Sequence, residues 1–502
     1  MKKKLVAFFC LLLEASPARI IHIQPDVDEA ESLDGESWST ATNLQRGLAL
    51  AVEGDQLWLK YGVYYPNHGS VFGLRGHYAA FSVRNGIGVF GGFLGTETRL
   101  RERPLDSPKQ TVLSGDIGKD DVDLDGDRIT DSAEGIIGLN SYFVAAMAGV
   151  GRDTILDGLT ITGGFNEGFN SSRNGGGVVI REGSPTIQRC RFVGNFAEYG
   201  GAISCQDSSN AMITNCFFYE NSACEGGGGI YVDRSSPWVV NCTFINQLVD
   251  GDRDSISCDR NASPLIGNCI FWDRPGRSVR RGPIFVGASS APLVSHCLIT
   301  GSGGELDRIE ALGIDGGGNL GGDDPWFIEG SFQLRVDSPA VGGGFLAFLP
   351  DDLADLDGDG DQFQRIPYDV GGGEMTTFGT PNIDIGCFQY RRFTADSDRD
   401  GFRDQFERVV IGDSLLLEPP ALASLGMEDG KLILIRQFHS GLRDHGRIIL
   451  EYRPYFGEAS AWREIEATRF YSRRIGADLS EEKHGVSLPQ EKGFFRLKVE
   501  EM

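Results

Sequence analysis

The chain is short of positive charge. Its 502 residues hold 47 lysines and arginines against 71 aspartates and glutamates, which gives a formal net charge of -24. Since such a chain has little with which to neutralise phosphate groups, the composition argues against nucleic acid as a partner. The deficit suits a secreted protein that holds cations. The 69 glycines, beside 40% apolar residues, indicate a folded chain that is rich in turns.

The sequence also lacks the residue spacings that many kinds of site need. It has no Cys-x-x-Cys pair, and its seven histidines show no metal-ligand spacing. Neither a phosphate loop nor a nucleotide-binding fingerprint is present, and no Ser-His-Asp arrangement can be placed. The residues therefore give no support to a zinc site or to nucleotide-dependent chemistry.

No apolar run is long enough to span a membrane. The N-terminal run LVAFFCLLL is about half the length that a membrane-spanning helix needs. It follows the basic residues Lys2–Lys4 and precedes the small residues Ser16, Pro17 and Ala18. This order is typical of a secretory signal peptide, so we expect residues 1–18 to be one and the protein to be secreted.

Five segments of the middle of the chain are copies of one pattern: TIQRCRF, MITNCFF, WVVNCTF, LIGNCIF and LVSHCLI. Their cysteines are Cys190, Cys216, Cys242, Cys269 and Cys297, spaced 26, 26, 27 and 28 residues apart. An apolar residue lies three positions before each cysteine, and Phe or Ile lies two positions after it. A fixed period of this length predicts the stacked coils of a solenoid.

The phase of the pattern predicts a bend beside each cysteine. Two residues that are two apart point to the same side of a strand, whereas the apolar residue three positions before the cysteine is out of phase. Asn215, Asn241 and Asn268 lie at the bend, and asparagine tolerates the left-handed conformation of a tight turn. Glycine-rich turns then precede the strands VVI, AISC and IYV. Stacked coils built from these strands would form a parallel β-helix, which is the fold that we predict.

The ten cysteines have two interpretations. In a secreted protein they suggest disulfides. Because five recur in phase at a predicted inward position, and Cys205 and Cys258 share another, buried thiols that pack as small apolar groups are the alternative that we favour.

Segments on either side of the repeats complete the predicted organisation. Residues Asn43–Val52 have helical periodicity and are expected to cap the open end of the β-helix. Residues 427–502 alternate as strands and are expected to form a small β-sandwich. The expected divisions are 1–18, signal peptide; 19–300, β-helix with its cap; 301–391, end of the β-helix; 392–426, calcium-binding linker; and 427–502, C-terminal β domain.

Several ordered motifs resemble one family. IHIQPD, SWSTATNLQRGLALA, GDQLWLKYGVYYP, GVFGGFLGTET, TVLSGDIG and LDGLTITGG resemble the N-terminal half of secreted bacterial β-helix repeat proteins of the pectin-lyase-like superfamily. DPWFIEGSFQLRVDSPAVGGG, DLDGDG and NIDIGCFQY resemble the choice-of-anchor Q region that closes many of them. The resemblance covers roughly residues 20–391. It implies a right-handed parallel β-helix, and hence an all-β protein at the surface of a bacterium or outside it.

The resemblance carries no catalytic residue onto this chain. Polygalacturonases of the superfamily use Asn-Thr-Asp, Asp-Asp, Gly-His-Gly and Arg-Ile-Lys segments, and no ordered set of these occurs here. Pectate lyases use a calcium-binding acidic cluster and an arginine base on a face of the helix. We therefore predict no catalytic residue, and we keep a polysaccharide lyase or glycoside hydrolase as the alternative function.

The clearest candidate site is an acidic loop after the β-helix. Its residues occupy positions 1, 3, 5, 7, 9 and 12 of a calcium loop, with Gly401 at position 6 for the sharp turn. They are Asp396, Asp398, Asp400, Phe402 (through its carbonyl oxygen), Asp404 and Glu407. The alternative is a solvated acidic linker without metal.

Two further acidic loops show part of that pattern. The first is DVDLDGDRITD, in which the expected calcium ligands are Asp121, Asp123, Asp125, Asp127 and Asp131. Position 12 of that loop is Ser132, so its closure must differ from that of an EF-hand loop. The second holds Asp355, Asp357, Asp359 and Asp361. For both loops a solvated turn remains the alternative.

A polar stripe is expected on one outer face. The residues that follow the glycine-entered strands at equivalent positions include Arg181, Asp207, Asp233, Arg234, Asp259 and Arg260. Stacked coils would bring these side chains into one column, along which a sugar chain could lie. The alternative is a column of surface ion pairs without a ligand.

These observations predict a secreted, calcium-stabilised and monomeric β-helix protein. The function expected first is non-enzymatic binding of a carbohydrate or another component of the cell envelope. The lyase or hydrolase is the second alternative, and a purely structural spacer is the third.

Overall fold

The structure is a computed structural model. It describes residues 18–389 except for 26, 28–32, 68–75, 105–110, 168–173, 250–251, 274–281, 301–311, 323, 329–330, 336–337, 373–374 and 376–382, and beyond them the backbone of seven strands between 424 and 501. The chain divides into two compact units, residues 1–390 and 391–502.

The first unit is a parallel β-helix. Most coils contribute one strand to each of three parallel sheets, and a two- to five-residue strand of a fourth, smaller sheet interrupts several coils. One complete coil runs from the strand Thr186–Gln188 of sheet 1 through Arg191–Val193 of sheet 2, Phe196–Tyr199 of sheet 4 and Ile203–Gln206 of sheet 3. The prediction of a parallel β-helix is therefore confirmed for the described part of this unit.

Sheets 1 and 2 are the longest, and in both the strands pair in the order in which they follow one another along the chain. Sheet 1 consists of Ile20–Ile23, Gln56–Lys60, Gly88–Phe93, Ile155–Asp157, Thr186–Gln188, Met212–Thr214, Trp238–Val240, Leu265–Gly267, Leu293–Ser295 and Ile314–Asp315. Sheet 2 consists of Gly62–Tyr64, Thr111–Ser114, Thr160–Thr162, Arg191–Val193, Phe217–Tyr219, Thr243–Ile245, Ile270–Trp272, Leu298–Thr300 and Leu320–Gly322.

The other two sheets are shorter. Sheet 3 consists of Phe81–Ser82, Ala145–Ala148, Val178–Arg181, Ile203–Gln206, Ile230–Asp233, Ile256–Asp259 and Ile284–Val286. Sheet 4 consists of Phe165–Asn166, Phe196–Tyr199, Ser222–Gly226, Leu248–Val249 and Asp252–Arg253, of which the last strand is antiparallel to its neighbour.

The repeated Cys-x-Phe pattern forms the inner wall of the coils. All five repeat cysteines are fully buried in the main hydrophobic core. The rings of Phe192, Phe218, Phe244 and Phe271 stack with centroids 5.0, 4.5 and 5.0 Å apart. Cys242 donates its thiol hydrogen to the carbonyl oxygen of Val240 at 3.3 Å. None of the described cysteines forms a disulfide, in agreement with the buried thiols that we favoured.

The bend beside each cysteine has the left-handed conformation that the asparagines predict. The φ angles of Asn215, Asn241 and Asn268 are 51°, 51° and 52°, and Arg189 and His296 take the same conformation in the coils before and after them. A left-handed residue reverses the inward and outward sides of the chain, so the apolar residue before the bend and the cysteine after it both face the core.

Glycine is required where the coils enter sheet 3. A Cβ atom at Gly176 would lie 2.4 Å from the carbonyl oxygen of Phe196 and 2.6 Å from that of Gly201. A Cβ atom at Gly201 would meet the next coil in the same way. The glycine-rich turns therefore let the backbones of neighbouring coils approach closely.

The predicted helix is present as Leu44–Leu50. Asn43 is its N-cap, and the side-chain oxygen of Asn43 accepts a hydrogen bond from the Arg46 backbone N–H at 2.9 Å. Leu44 and Leu48 enter the same core as the first strand of sheet 1. That this helix protects the end of the β-helix stays a prediction. The described 3-10 helices are Trp38–Thr40, Gly76–Tyr78, Leu100–Glu102, Ala133–Gly135 and Leu346–Phe348.

A covering segment, made of the described residues between 338 and 389, packs on the outside of sheets 1 and 2. Its Leu349, Leu356 and Ile366 are buried against Trp58 and Phe90 of sheet 1. The turn asparagines hold the same segment. Asn268 accepts a hydrogen bond from the Phe345 N–H at 2.8 Å and donates one to the Phe345 carbonyl oxygen at 3.0 Å, and Asn215 donates to the carbonyl oxygen of Tyr368 at 2.9 Å.

The second unit contains two antiparallel sheets. One has the strand order Ser424–Glu428, Lys431–His439, Leu479–Ser487 and Thr468–Arg474, and the other has the order Arg463–Ile465, Gly446–Pro454 and Gly493–Glu501. The strands that we expected in residues 427–502 are present. The packing of the two sheets as a sandwich stays a prediction.

Candidate functional site

The predicted polar stripe lies where the strands of sheet 3 end. Arg181, Gln206, Asp233 and Asp259 are the last residues of four neighbouring strands and pair with one another in register. Inward residues alternate with them: Cys205, Val232 and Cys258 are fully buried in the core. Since side chains alternate along a strand, the four end residues face outward in one column.

A second column follows directly. Glu182, Asp207, Arg234 and Arg260 each come one residue after a strand end and have φ angles of 50°, 55°, 49° and 52°. This shared left-handed conformation turns the chain from sheet 3 towards sheet 1 in these four coils. The structure therefore brings together the stripe residues that the sequence indicated.

Ion pairs link the two columns. Arg260 forms two parallel hydrogen bonds to Asp233, from Nε to Oδ1 at 2.6 Å and from Nη2 to Oδ2 at 2.7 Å. Arg234 pairs with Asp207, where its Nε donates to Oδ1 at 3.1 Å, and its Nη2 lies 3.3 Å from Oδ2 of Asp233. Asp233 is nearly buried, whereas the side chains of Arg234 and Arg260 are 49% and 59% exposed. The guanidinium groups of Arg234 and Arg260, together with Asp207, whose side chain is 41% exposed, thus form the accessible part of these pairs.

Aromatic residues border the stripe, and the sequence analysis missed them. The hydroxyl group of Tyr231, on the outward side of sheet 3, donates to Oδ2 of Asp259 at 3.3 Å. The ring of Tyr199, from sheet 4, lies 4.7 Å from the ring of Tyr231. Burial raises the pKa of Tyr231, and the nearby Asp259 and Asp233 raise it further, so its hydroxyl group stays protonated at neutral pH. The outward phase of Tyr231 in the strand IYVD was the available signal.

The acidic loop 121–131 separates into two groups. Oxygen atoms of Asp123, Asp125 and Asp127 lie within 4.8 Å of one another, and those of Asp121 form a second such group with Asp116 and Asp120. Two or three carboxylates at this separation suit a hard cation such as calcium, which takes oxygen ligands.

The outer members of that predicted ligand set have other contacts. Asp131 accepts a hydrogen bond from the Leu124 N–H at 2.7 Å. Asp121 accepts from the Thr130 hydroxyl at 2.8 Å and from the Asn140 side chain at 2.9 Å. Burial raises the pKa of Asp121 to about 6, although these bonds and one from the Ile137 N–H lower it. The sequence spacing did not reveal the participation of Asp116 and Asp120.

The second acidic loop repeats the geometry of the first. Both contain the sequence DLDGD, at 123–127 and 355–359. In each loop the first aspartate accepts a hydrogen bond from the N–H five residues later, Arg128 at 2.9 Å in one and Gly360 at 3.1 Å in the other. Oxygen atoms of Asp355, Asp357 and Asp359 also lie within 4.8 Å of one another. The same five residues therefore build the same carboxylate cluster twice.

Other predicted features fall outside the described residues. These are the calcium loop of Asp396, Asp398, Asp400, Phe402, Asp404 and Glu407, and all but the last residue of the signal peptide. Within the described part of the chain, no helix is long and apolar enough to cross a membrane.

A buried charge cluster, also missed from the sequence, lies where the covering segment meets sheet 1. Asp157 forms ion pairs with Arg103 and Arg189, and all three side chains are at most 2% exposed. Burial raises the pKa of Asp157, but the two guanidinium groups lower it more, and the result is about 2. Burial lowers the pKa of Arg103 to about 10, although Asp157 and, to a smaller extent, Asp352 of the covering segment raise it. The sequence feature that could have indicated this cluster is Arg189, which occupies the position that later coils fill with asparagine.

A comparison with known protein families agrees with the described architecture. A family model described as a right-handed β-helix region matches residues 146–320. This part of the chain is thus a right-handed parallel β-helix. Among solved structures, the crystal structure of pectate lyase Pel9A is 10% identical, with a TM-score of 0.30, and the match covers 75% of this chain and 98% of that one. The search of curated proteins finds no match.

Proposed function

We propose that the protein is a secreted or cell-surface β-helix protein of the pectin-lyase-like type, with a choice-of-anchor Q region, that binds a carbohydrate along the stripe of sheet 3. The observation that carries the proposal is the column of outward polar residues, which continues without a break over four stacked coils. Neighbouring coils lie about 4.8 Å apart, so an extended chain of repeated units could meet a polar group at a regular interval.

The protonation of Arg260 favours ligand binding over lyase chemistry. Burial lowers the pKa of Arg260, but Asp233 and Tyr231 together raise it more, and the net pKa lies above that of an ordinary arginine. An arginine that acts as a base must first lose its proton, and this pairing opposes that loss. A polysaccharide lyase or glycoside hydrolase remains the alternative function.

The test is affinity electrophoresis of the full chain through gels that contain one polysaccharide each, drawn from the envelope and from plant cell walls. We expect slower migration in at least one gel. The double variant Asp207→Asn/Arg234→Gln should migrate faster in that gel than the wild type does. The matched control is Asp351→Asn/Arg365→Gln, because that ion pair is equally exposed, with side chains 46% and 49% accessible, but belongs to the covering segment.

The same samples separate the alternatives. Absorbance of unsaturated uronate products would identify a lyase, and new reducing ends would identify a hydrolase. Retention without either product supports a binding protein. No retention and no product in any gel would reject both and leave the structural spacer.

We also propose that calcium occupies the acidic loops. The support is the oxygen-rich ligand set of the two described DLDGD loops, together with the complete spacing of residues 396–407. Isothermal titration of the full chain with calcium should give saturable binding. Asp125→Asn and Asp400→Asn should each remove part of the bound calcium, whereas Asp153→Asn, at an exposed position outside the loops, should not. Equal binding by all four proteins would contradict the assignment.

Secretion is the last part of the proposal. It is supported by the order of basic, apolar and small residues at the N-terminus. N-terminal sequencing of protein recovered from outside the cells should show that a segment close to residues 1–18 has been removed. Recovery of the intact chain only from inside the cells would contradict it.

A further inference from the structure

The charges of the stripe point to the class of sugar that it takes. The two columns hold three arginines, Arg181, Arg234 and Arg260, against the four carboxylates of Glu182, Asp207, Asp233 and Asp259. Arg234 and Arg260 already donate to Asp207 and Asp233. An acidic sugar would therefore have to compete with carboxylates that are fixed in place by the fold.

The surroundings add negative charge. Sheet 4 runs beside the stripe, and its residues Glu198 and Glu225 reach the environment of Tyr199 closely enough to raise the pKa of that residue, although burial is the larger cause. The whole chain carries a net charge of -24. Salt screens charges beyond about 8 Å at physiological strength, but groups within a binding face lie closer than that to their ligand. The face is thus unfavourable for a polyanion.

Neutral sugars can form hydrogen bonds with both charged groups of an ion pair. A hydroxyl group both donates and accepts, so it can donate to a carboxylate oxygen and accept from a guanidinium N–H of the same ion pair. Such a ligand can bridge the pair between Asp207 and Arg234, whose side chains are 41% and 49% exposed, without separating it. Hydrogen bonds to charged groups contribute more than those between neutral groups, which favours recognition of hydroxyl groups at this position.

Aromatic rings supply the apolar part of the site. Tyr199 is half-buried, and its ring lies 4.7 Å from that of Tyr231, which is only 3% exposed and so backs the ring of Tyr199 without being accessible itself. Phe285 continues the outward column that holds Tyr231 and Ser257, and is 36% exposed. The C–H groups of a sugar ring pack well on such a surface, whereas a carboxylate on the ring would have to be desolvated there.

We infer that the ligand of the sheet 3 face is an uncharged polysaccharide and not a polyuronate. The inference rests on the proposed function, because it assigns a class of ligand to the same stripe. It also changes the expectation for the alternative enzyme, whose substrate would then be a neutral glycan.

The experiment is affinity electrophoresis of the full chain in gels of neutral glucan, xylan or mannan and in gels of polygalacturonate or alginate, each with calcium and with a chelator. We expect retention in at least one neutral gel and none in the polyuronate gels. The retention should change little between low and high salt. Tyr199→Ala should weaken the affinity about tenfold, in line with the loss of one stacking contact. Tyr78→Ala, at an exposed tyrosine elsewhere in the β-helix unit, is the matched control.

The outcomes distinguish this inference from the proposed function. Retention only by polyuronate, with or without calcium, overturns the inference and leaves carbohydrate binding in place. Retention by a neutral glycan that Tyr199→Ala and Asp207→Asn/Arg234→Gln leave unchanged also overturns it, because the ligand then lies elsewhere. No retention in any gel rejects the proposed function and the inference together.

Discussion

Replacing Asp157 by asparagine should destabilise the β-helix more than any surface substitution. The change keeps the shape of the side chain but removes the charge that faces Arg103 and Arg189. Asp157 Oδ2 accepts from Arg189 Nε at 3.0 Å and from Gln188 Nε2 at 2.9 Å. Both guanidinium groups would remain buried, Arg103 with its side chain 1% exposed and Arg189 with its side chain 2% exposed.

The magnitude follows from the burial. Removing one partner of a buried ion pair costs about 3–5 kcal/mol, because the remaining charge has neither water nor a counter-ion. The pKa gives a separate estimate. Its value of about 2, against an ordinary value of 3.8, corresponds to about 2 kcal/mol of pH-dependent stability. Because the folded pKa is the lower one, this stability is present above about pH 4 and is lost as the pH falls through about 2.

The assay is urea unfolding at pH 7, followed by tryptophan fluorescence, which reports on the nearby buried Trp58. The comparison needs Asp153→Asn, an exposed position in the same coil, which should change the free energy of unfolding by less than about 0.5 kcal/mol. If the free energy of unfolding of Asp157→Asn differs from that of the wild type by no more than this amount, the buried cluster does not stabilise the fold.

Three further predictions concern other parts of the β-helix unit. Phe244→Ala should lower the free energy of unfolding by about 3–5 kcal/mol in urea, because it opens a gap in the ring stack, whereas Phe363→Ala, at a ring 88% exposed, should change little. A thiol reagent should modify Cys224 rapidly in the native protein, and Cys224→Ser should remove that signal, since the other described cysteines are buried. Burial raises the pKa of Asp352 to about 7, so its contribution to the free energy of unfolding should be lost as the pH rises from the ordinary aspartate range through 7. Urea unfolding of Asp352→Asn, measured over that pH range, should lack this decrease in the free energy of unfolding. The same decrease in the variant would contradict the prediction.

The parts of the fold that repeat were predictable from sequence, and the reason is physical. A side chain that stacks on its own counterpart in the next coil must recur with the period of the coil, as Phe218 and Phe244 do. The left-handed bend requires a residue that tolerates it, and this selects asparagine at Asn215 and Asn241. The polar stripe was predictable on the same ground, because its members share a register position.

Contacts between unlike segments were not predictable in this way. Asp157 meets Arg103, which is 54 residues earlier in the chain, and no period connects the two. The asparagines of the bend have a second role that the repeat conceals, since Asn268 binds the backbone of Phe345 in the covering segment. The outward aromatic residues of sheet 1 could have indicated the covering segment. Trp58 and Phe90 alternate with the inward Leu57 and Val89, and such residues indicate that another segment covers the face.

The distribution of these contacts explains why recognition is assigned to sheet 3. In the described part of the first unit, the covering segment packs its apolar residues on the outside of sheets 1 and 2, where Trp58 and Phe217 are buried. The ends of the sheet 3 strands are instead followed by Arg234 and Arg260, whose side chains are 49% and 59% exposed. The guanidinium group of Arg260 is held by two hydrogen bonds to the nearly buried Asp233 and keeps a fixed geometry, and fixed polar groups lose less entropy when a ligand binds. The inner ladder therefore serves recognition indirectly, because it sets the register in which these outward groups are displayed.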